Sequence, residues 1–259
     1  MRAVHKLFFA LTLLLSVTAC VTTTQGGFNT EPSLQQAEQD FVQLAIGYYE
    51  AGDMTAARRN INNALDINSR SSAAYNALAL VLQSEGDDEL AKRTFERAIS
   101  YDANNSRARN NFAAFLFELG EFEQSYQQLE RVANDTTYEG RAIAFQNLGL
   151  TALQTERPER ALYAFERAVQ LDSNLYRSSL ELAQLHYDSG NFTEARRRYQ
   201  QFLTTSNFYS IPQTPRSLWL GVQIERRFDN EPTAAIYAAI LQRLFSDSPQ
   251  YQEYLKSLK

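Results

Sequence analysis

Residues Tyr75–Asn105 read YNALALVLQSEGDDELAKRTFERAISYDANN, and the fold follows from this stretch. Leu78, Ala79 and Leu82 recur at the spacing that puts side chains on one face of a helix. After a break, Ala91, Phe95 and Ala98 do the same. The break is Gly86-Asp87: glycine takes the backbone conformation that ends a helix, and aspartate caps the start of the next. The stretch predicts two amphipathic helices folded back on each other. The small side chains of Ala79 and Ala91 let the backbones approach, and Phe95 fills the space between neighbouring units.

The unit recurs, which predicts an array rather than one compact core. Gly52, Gly86 and Gly120 stand 34 residues apart, and Glu156 holds the turn position 34 before Gly190. Small residues return on the first helices as Ala45, Ala79, Ala113, Gly149 and Ala183. On the second helices Ala57, Ala91, Ser125, Ala161 and Ala195 take the matching place, followed by the bulky Ile61, Phe95, Leu129, Phe165 and Tyr199. A helix–turn–helix unit of this length and pattern resembles the tetratricopeptide repeat, TPR. Ser69, Ala103 and Ser173 replace the proline that usually closes it.

The expected fold is therefore all-α, a TPR superhelical solenoid of about six repeats. They fall near residues 38–71, 72–105, 106–141, 142–175, 176–209 and, atypically, 214–247. The step between the third and fourth is 36, with Asn134–Gly140 as a longer link. Thr204–Pro215 reads as a polar loop with two prolines. Ser217–Arg226 and Ala234–Leu244 then form the looser sixth pair, and residues 248–259, with Tyr251, Tyr254 and Leu255, a terminal cap.

Residues 1–19 read as a secretory signal: Arg2 and Lys6 are basic, and Leu7–Val17 is apolar but short for a membrane span. Val17-Thr18-Ala19-Cys20 resembles a bacterial lipobox, which implies that Cys20 becomes the first mature residue and carries lipid. The alternative is an ordinary signal with a chance cysteine beside its cleavage site. Cys20 is the single cysteine of the chain, which favours lipidation and excludes an internal disulfide framework. Several acyl chains anchor firmly where one binds only marginally. The resemblance also implies outer-membrane sorting, because Thr22 rather than aspartate follows Val21, with the body in the periplasm. Residues 20–33 are polar and contain glycine, and read as a lipidated flexible tether. The domain of repeats then spans 34–259.

Loss of Arg2 and Lys6 with the signal takes the formal charge from −5 to −7. An acidic body argues against nucleic acid or anionic lipid as the partner. Arg196-Arg197-Arg198, beside Glu194, reads as a solvated helix face. Of two histidines, His5 lies in the signal and His186 at a packing position, where Tyr48, Leu82 and Leu116 stand in other repeats. No cluster matches zinc spacing, no Cys–His or Ser–His–Asp arrangement is present, and no phosphate-binding glycine motif occurs. The sequence thus offers no catalytic residue, metal site or cofactor site, and no small-molecule substrate is expected.

What remains is a binding surface. In a TPR array the first helices line a concave groove, through positions 5, 9 and 12 when the small residue is position 8. Those positions are Val42, Ile46 and Tyr49 in repeat one, Asn76, Leu80 and Gln83 in repeat two, and Asn110, Ala114 and Phe117 in repeat three. Repeats four and five give Gln146, Leu150 and Leu153, then Leu180, Gln184 and Tyr187. The lining is apolar with a row of amides, which suits a peptide whose side chains need anchors and whose backbone needs partners. Val42 and Ile46 stand where carboxylate-clamp TPR modules present Lys and Asn, so that mode is not expected. The other expected occupant is the chain's own tether or terminal cap.

The lipobox, short tether, five regular repeats, looser sixth and the ending FSDSPQYQEY at Phe245–Tyr254 together resemble the PilF/PilW family of type IV pilus lipoproteins, the pilotins. That resemblance implies a non-catalytic protein that escorts secretin subunits to the outer membrane and helps them form the ring through which the pilus emerges. Two other classes stay open. One is a general TPR adaptor lipoprotein recruiting envelope assembly or peptidoglycan-modifying proteins; the other is a cell-wall enzyme.

Overall fold

The computed structural model describes residues 33–259. The signal, Cys20 and all of the tether except Ser33 lie outside them. The described residues form thirteen α-helices and no strand. Twelve of them make six hairpins: α1 Leu34–Glu50 with α2 Met54–Ile67, α3 Ser72–Ser84 with α4 Asp88–Tyr101, and α5 Ser106–Glu118 with α6 Phe122–Ala133. Then follow α7 Arg141–Gln154 with α8 Pro158–Leu171, α9 Tyr176–Asp188 with α10 Phe192–Phe208, and α11 Pro215–Arg227 with α12 Glu231–Phe245. The short α13, Pro249–Lys256, packs on α11 and α12.

One closure ends the first helix of every pair. In repeat two, Gly86 N donates to the Gln83 carbonyl and Asp87 N to the Leu82 carbonyl, both at 3.0 Å. These bonds satisfy carbonyls the helix end leaves open, and they need a left-handed residue at the turn. Gly52, Gly86, Gly120 and Gly190 supply it with φ between 77 and 80°. Glu156 and Asp229 do so at φ 57 and 53°, against the preference of a side chain. Asp53, Asp87 and Asn191 then cap the following helix through their side-chain oxygens.

The repeat frame read from the sequence is the frame of the core. Ala45, Ala79, Ala113 and Ala183, and Ala57, Ala91, Ser125, Ala161 and Ala195 opposite them, are fully buried at 0% exposure. Ile61, Phe95, Leu129, Phe165 and Tyr199 are at most 1% exposed. Gly149 replaces alanine where the Phe165 ring comes closest: a Cβ there would lie 2.6 Å from the ring. The backbones of odd-numbered helices α1 to α11 approach one another in order, whereas α2, α4, α6, α8, α10 and α12 meet only through long side chains, such as Arg160 on α8 with Glu130 on α6 and Tyr237 on α12 with Tyr199 on α10. The first helices therefore make an inner row and the second helices an outer one.

The structure differs from the sequence reading after Leu203. The polar residues that look like a loop continue α10 for another turn, to Phe208. Thr205 and Ser206 face inward and are buried. The helix closes where Ser210, at φ 56°, lets Ile211 N donate to the Ser206 carbonyl at 2.7 Å. The arginine run also differs. Arg197 and Arg198 pair with Glu194 on their own helix, while Arg196 reaches the next repeat and grips buried Glu225 through two nitrogens at 3.1 and 2.8 Å. Arg216 holds buried Glu181 in the same forked way, at 2.6 and 2.7 Å.

Candidate functional site

The inner row exposes what an outer row would cover. In α1 the fully buried Ala45 sits against α2, and the helical period turns Val42, Ile46 and Tyr49 toward the concave side. Two cavities open there. The first, about 480 Å³, is lined by Val42, Ile46, Gly47 and Asn76 with Glu38 and Arg107 at its rim. The second, about 530 Å³, is lined by Ile46, Tyr49, Leu80 and Asn111, with Arg107, Glu50 and Glu139 charged around it. Ile46 and Arg107 belong to both, so the two cavities adjoin. Val42, Ile46, Tyr49 and Leu80 are all half-buried, leaving apolar surface facing this space.

Ile46 and Tyr49 are not free of the core, since both also pack against the cluster of Ala45, Ala57, Ile61, Ala77 and Val81. Phe117 lies apart from the other four: it lines a smaller cavity of about 150 Å³ with Ala114 and Leu150, and stacks edge-on against Phe122 at 5.1 Å. Asn76 and Asn110 are 3 and 8% exposed, and the structure gives them partners. Asn111 Nδ2 donates to Asn76 Oδ1 at 3.1 Å, and Asn147 Nδ2 to Asn110 Oδ1 at 3.2 Å. The row of amides is thus an inter-repeat ladder joining α3 to α5 and α5 to α7, with part of Asn76 left on the first cavity.

Sequence reasoning missed the wall opposite α1. Tyr138, Glu139 and Gly140, from the link before α7, stand across the second cavity from Ile46 and Tyr49. Burial raises the Tyr138 hydroxyl above its ordinary pKa, and the Arg107 guanidinium partly offsets that. The one sequence sign of this wall is the 36-residue step between repeats three and four. Also missed is the outer face of α1. Leu44 and Tyr48 occupy positions that in repeats three and four are filled by buried Phe112 and Leu116, then Leu148 and Ala152. With no repeat before α1 in the described residues, Leu44 and Tyr48 are 49 and 37% exposed.

No group of three or more His, Cys, Asp or Glu among the described residues could hold a metal ion, and no described helix is long and apolar enough to cross a membrane. His186 is buried on α9, and its Nε2 has no hydrogen-bond partner among the described residues. Burial holds its pKa below the ordinary value.

Six hairpins in two rows, with apolar residues on the inner one, define a TPR solenoid. The tetratricopeptide repeat family matches the chain at residues 72–105, 152–203 and 180–249. The type IV pilus assembly protein PilF of Pseudomonas aeruginosa is 36% identical over 248 residues, covering 95% of this chain and 96% of that one. A solved structure from the functional characterisation of Pseudomonas aeruginosa PilF superposes with a TM-score of 0.80 at 34% identity, over 86% of this chain and 99% of that one. PilW, described as a widely conserved type IV pilus biogenesis factor, shares the fold with a TM-score of 0.67 at 23% identity, over 85% of this chain and 99% of that one. The chain belongs to the PilF family of type IV pilus assembly proteins.

Proposed function

We propose that this chain is an outer-membrane lipoprotein of type IV pilus biogenesis that binds secretin subunits and promotes their localisation and multimerisation. Its body is a scaffold without catalytic activity, and Cys20 carries the lipid that gives its membrane address. The observation that carries the reading is the pair of adjoining cavities on the inner face, where Val42, Ile46, Tyr49 and Leu80 keep apolar surface uncovered. Such surface suits a partner segment with apolar anchors. Membership of the PilF family supports the pilus assignment, and the reading of Val17–Cys20 as a lipobox supports the anchor.

The test uses Val42, because it lines the first cavity and is not among the side chains packed on the α1–α2 core. Fully burying an apolar side chain contributes about 1.5–3 kcal/mol, so Val42→Glu or Val42→Lys should weaken secretin binding about tenfold or more. Secretin multimers in cells carrying these variants should fall, with protein level and circular dichroism unchanged. Normal multimers from folded, correctly localised variants would rule this face out. Cys20→Ala should separately leave the protein off the outer membrane, and failure of the natural chain to incorporate labelled fatty acid would remove the anchor.

A further inference from the structure

A third cavity, polar and of about 660 Å³, opens away from the apolar ones, where α4 hands over to α5 and α6 to the link before α7. Asn104, Ser106, Arg109, Arg131, Asp135 and Thr137 line it. Arg109 is 5% exposed, and neither it nor Arg131 makes an ion pair among the described residues. The Arg109 Nε donates to the Ala103 carbonyl at 2.8 Å and Nη1 donates to Gln128, while Nη2 makes no described hydrogen bond. A buried guanidinium without a paired carboxylate is costly, and the charge of Asp102, which makes no ion pair with Arg109, offsets the desolvation only in part.

Comparison of the repeats shows that this cost is particular to repeat three. In repeat two the residue at the place of Arg109 is Tyr75, and Arg97, at the place of Arg131, lies over its ring at 4.5 Å. In repeat four the same two places hold Phe145 and Arg167, with the guanidinium 5.8 Å from the ring centre. A guanidinium over an aromatic face is attractive. Repeat three replaces the ring with a second guanidinium, so that attraction becomes repulsion. The effect registers on Arg109, whose pKa falls below its ordinary value through burial first and through the positive charge of Arg131 next.

Asp135 does not remove the problem. Its carboxylate accepts from Ser106 Oγ at 2.6 Å and from Thr137 N and Oγ1 at 3.0 and 2.7 Å. Those bonds keep it ionised, with its oxygens committed to the link.

We propose that this cavity binds a phosphate group, with Arg109 and Arg131 as its two cationic anchors. Phosphate oxygens accept from two planar guanidinium forks at once, which a lone carboxylate matches less well. The cavity has room for more than the phosphate itself, so the group is one end of a phosphate ester, either a small soluble one or a lipid headgroup. The acidic body gives no diffuse attraction to an anionic surface; the recessed Arg109 beside the exposed Arg131 forms a point site that does not need one.

The experiment compares thermal unfolding of the full chain in inorganic phosphate and in chloride at matched ionic strength. Phosphate should raise the midpoint, because a ligand that binds only the folded state stabilises it. Arg131→Gln should weaken the apparent phosphate affinity about tenfold or more. Arg109→Tyr rebuilds the arrangement of repeat two; it should keep or raise the midpoint in chloride and lose the response to phosphate. The same response in the natural chain and both variants, or no response in any, overturns the site. Flotation of the Cys20→Ala chain, which carries no acyl anchor, with phosphatidylglycerol vesicles separates the sources. Vesicle binding that Arg131→Gln abolishes assigns a headgroup, and a phosphate response without vesicle binding assigns a soluble ester.

Discussion

In repeats one and two the inner face holds Val42, Ile46, Tyr49 and Leu80 half-buried around open cavities, and the outer face of α1 leaves Leu44 and Tyr48 exposed. In repeat five the comparable positions are also half-buried, but repeats five and six are tied together by buried polar groups. Leu180 and Tyr187 pack on a cluster of Ala183, Tyr199, Phe202, Leu220 and Ile224, and the Tyr199 hydroxyl donates to the Ser217 carbonyl at 2.9 Å. Glu181 and Glu225 are buried there under forked arginines. One hairpin thus serves two ends of the molecule differently. The amino-terminal end keeps apolar area uncovered at little electrostatic cost. The carboxyl-terminal end holds charges that are stable only while their partners stay in place. Substitutions should therefore change binding at one end and stability at the other.

The largest expected effect breaks a buried pair. Arg196→Met strands Glu225, whose side chain is 4% exposed and keeps only Asn230 as a polar partner. Removing one member of a buried pair costs about 3–5 kcal/mol, and the partial exposure of Arg196 puts this case near the lower limit. The matching change at the other end, Arg58→Met, breaks a pair with Glu85 whose side chains are 40 and 38% exposed. Such exposed pairs contribute roughly 0–1 kcal/mol. Urea midpoints of the two variants measure the contrast directly, and equal losses would show that the ends do not differ in this way.

A second contrast uses one substitution at two glycines. A Cβ on Gly221 would lie 2.8 Å from the Tyr199 ring and 2.9 Å from that of Tyr237, so Gly221→Ala should overpack α11 against α10 and α12 and cost about 1–3 kcal/mol. Gly47 lies inside α1 beside the first cavity, and a Cβ there would meet nothing within 4 Å. Gly47→Ala should stabilise by roughly 0.5–1 kcal/mol, through helix propensity alone. Thermal melts of the pair should move in opposite directions. A loss at both would mean that the amino-terminal face is as tightly filled as the other.

The two ends were also unequally legible in the sequence. Ala79, Ala91 and Phe95 have the same role in every regular repeat, so recurrence reports them, and the turn survives even where Glu156 replaces glycine. Recurrence cannot report what happens once. The extra turn of α10 reads as a loop because Thr205 and Ser206 are polar, and only the fold shows that they are buried. Arg58, Lys92 and Arg196 share a repeat position and each reaches a glutamate of the next repeat, but only for Arg196 is that glutamate, Glu225, buried, which the spacing does not report. The groove positions follow from the helical period, but it could not say that Asn76 and Asn110 bond to the next repeat. Nor could it place Tyr138 opposite Ile46, because curvature and link shape set that distance.

The smallest effect expected is a slope rather than a loss. His186 stands in repeat five where Leu82 and Leu116 stand in repeats two and three, and like them it is buried. Burial lowers its pKa first; Glu194 on α10 and Glu166 on α8 push it up, while Arg198 and Arg197 on α10 push it down. The folded chain therefore keeps the imidazole neutral at a pH where the unfolded chain, near the ordinary value of about 6.5, has begun to bind a proton. When the unfolded state binds more protons, stability rises with pH. The contribution is complete above about pH 6.5 and is lost as pH falls toward the depressed folded value, with a slope of at most about 1.4 kcal/mol per unit. His186→Leu installs the side chain of the regular repeats. It should remove this slope between pH 7.5 and 5.5 (roughly one unit either side of the free imidazole value) and raise the urea midpoint at the acid end. The carboxylates around it keep their own dependence at lower pH, where Glu194 titrates at about 2 under the hydrogen bond from Arg197. An unchanged slope in His186→Leu would place the acid sensitivity of the carboxyl-terminal end elsewhere.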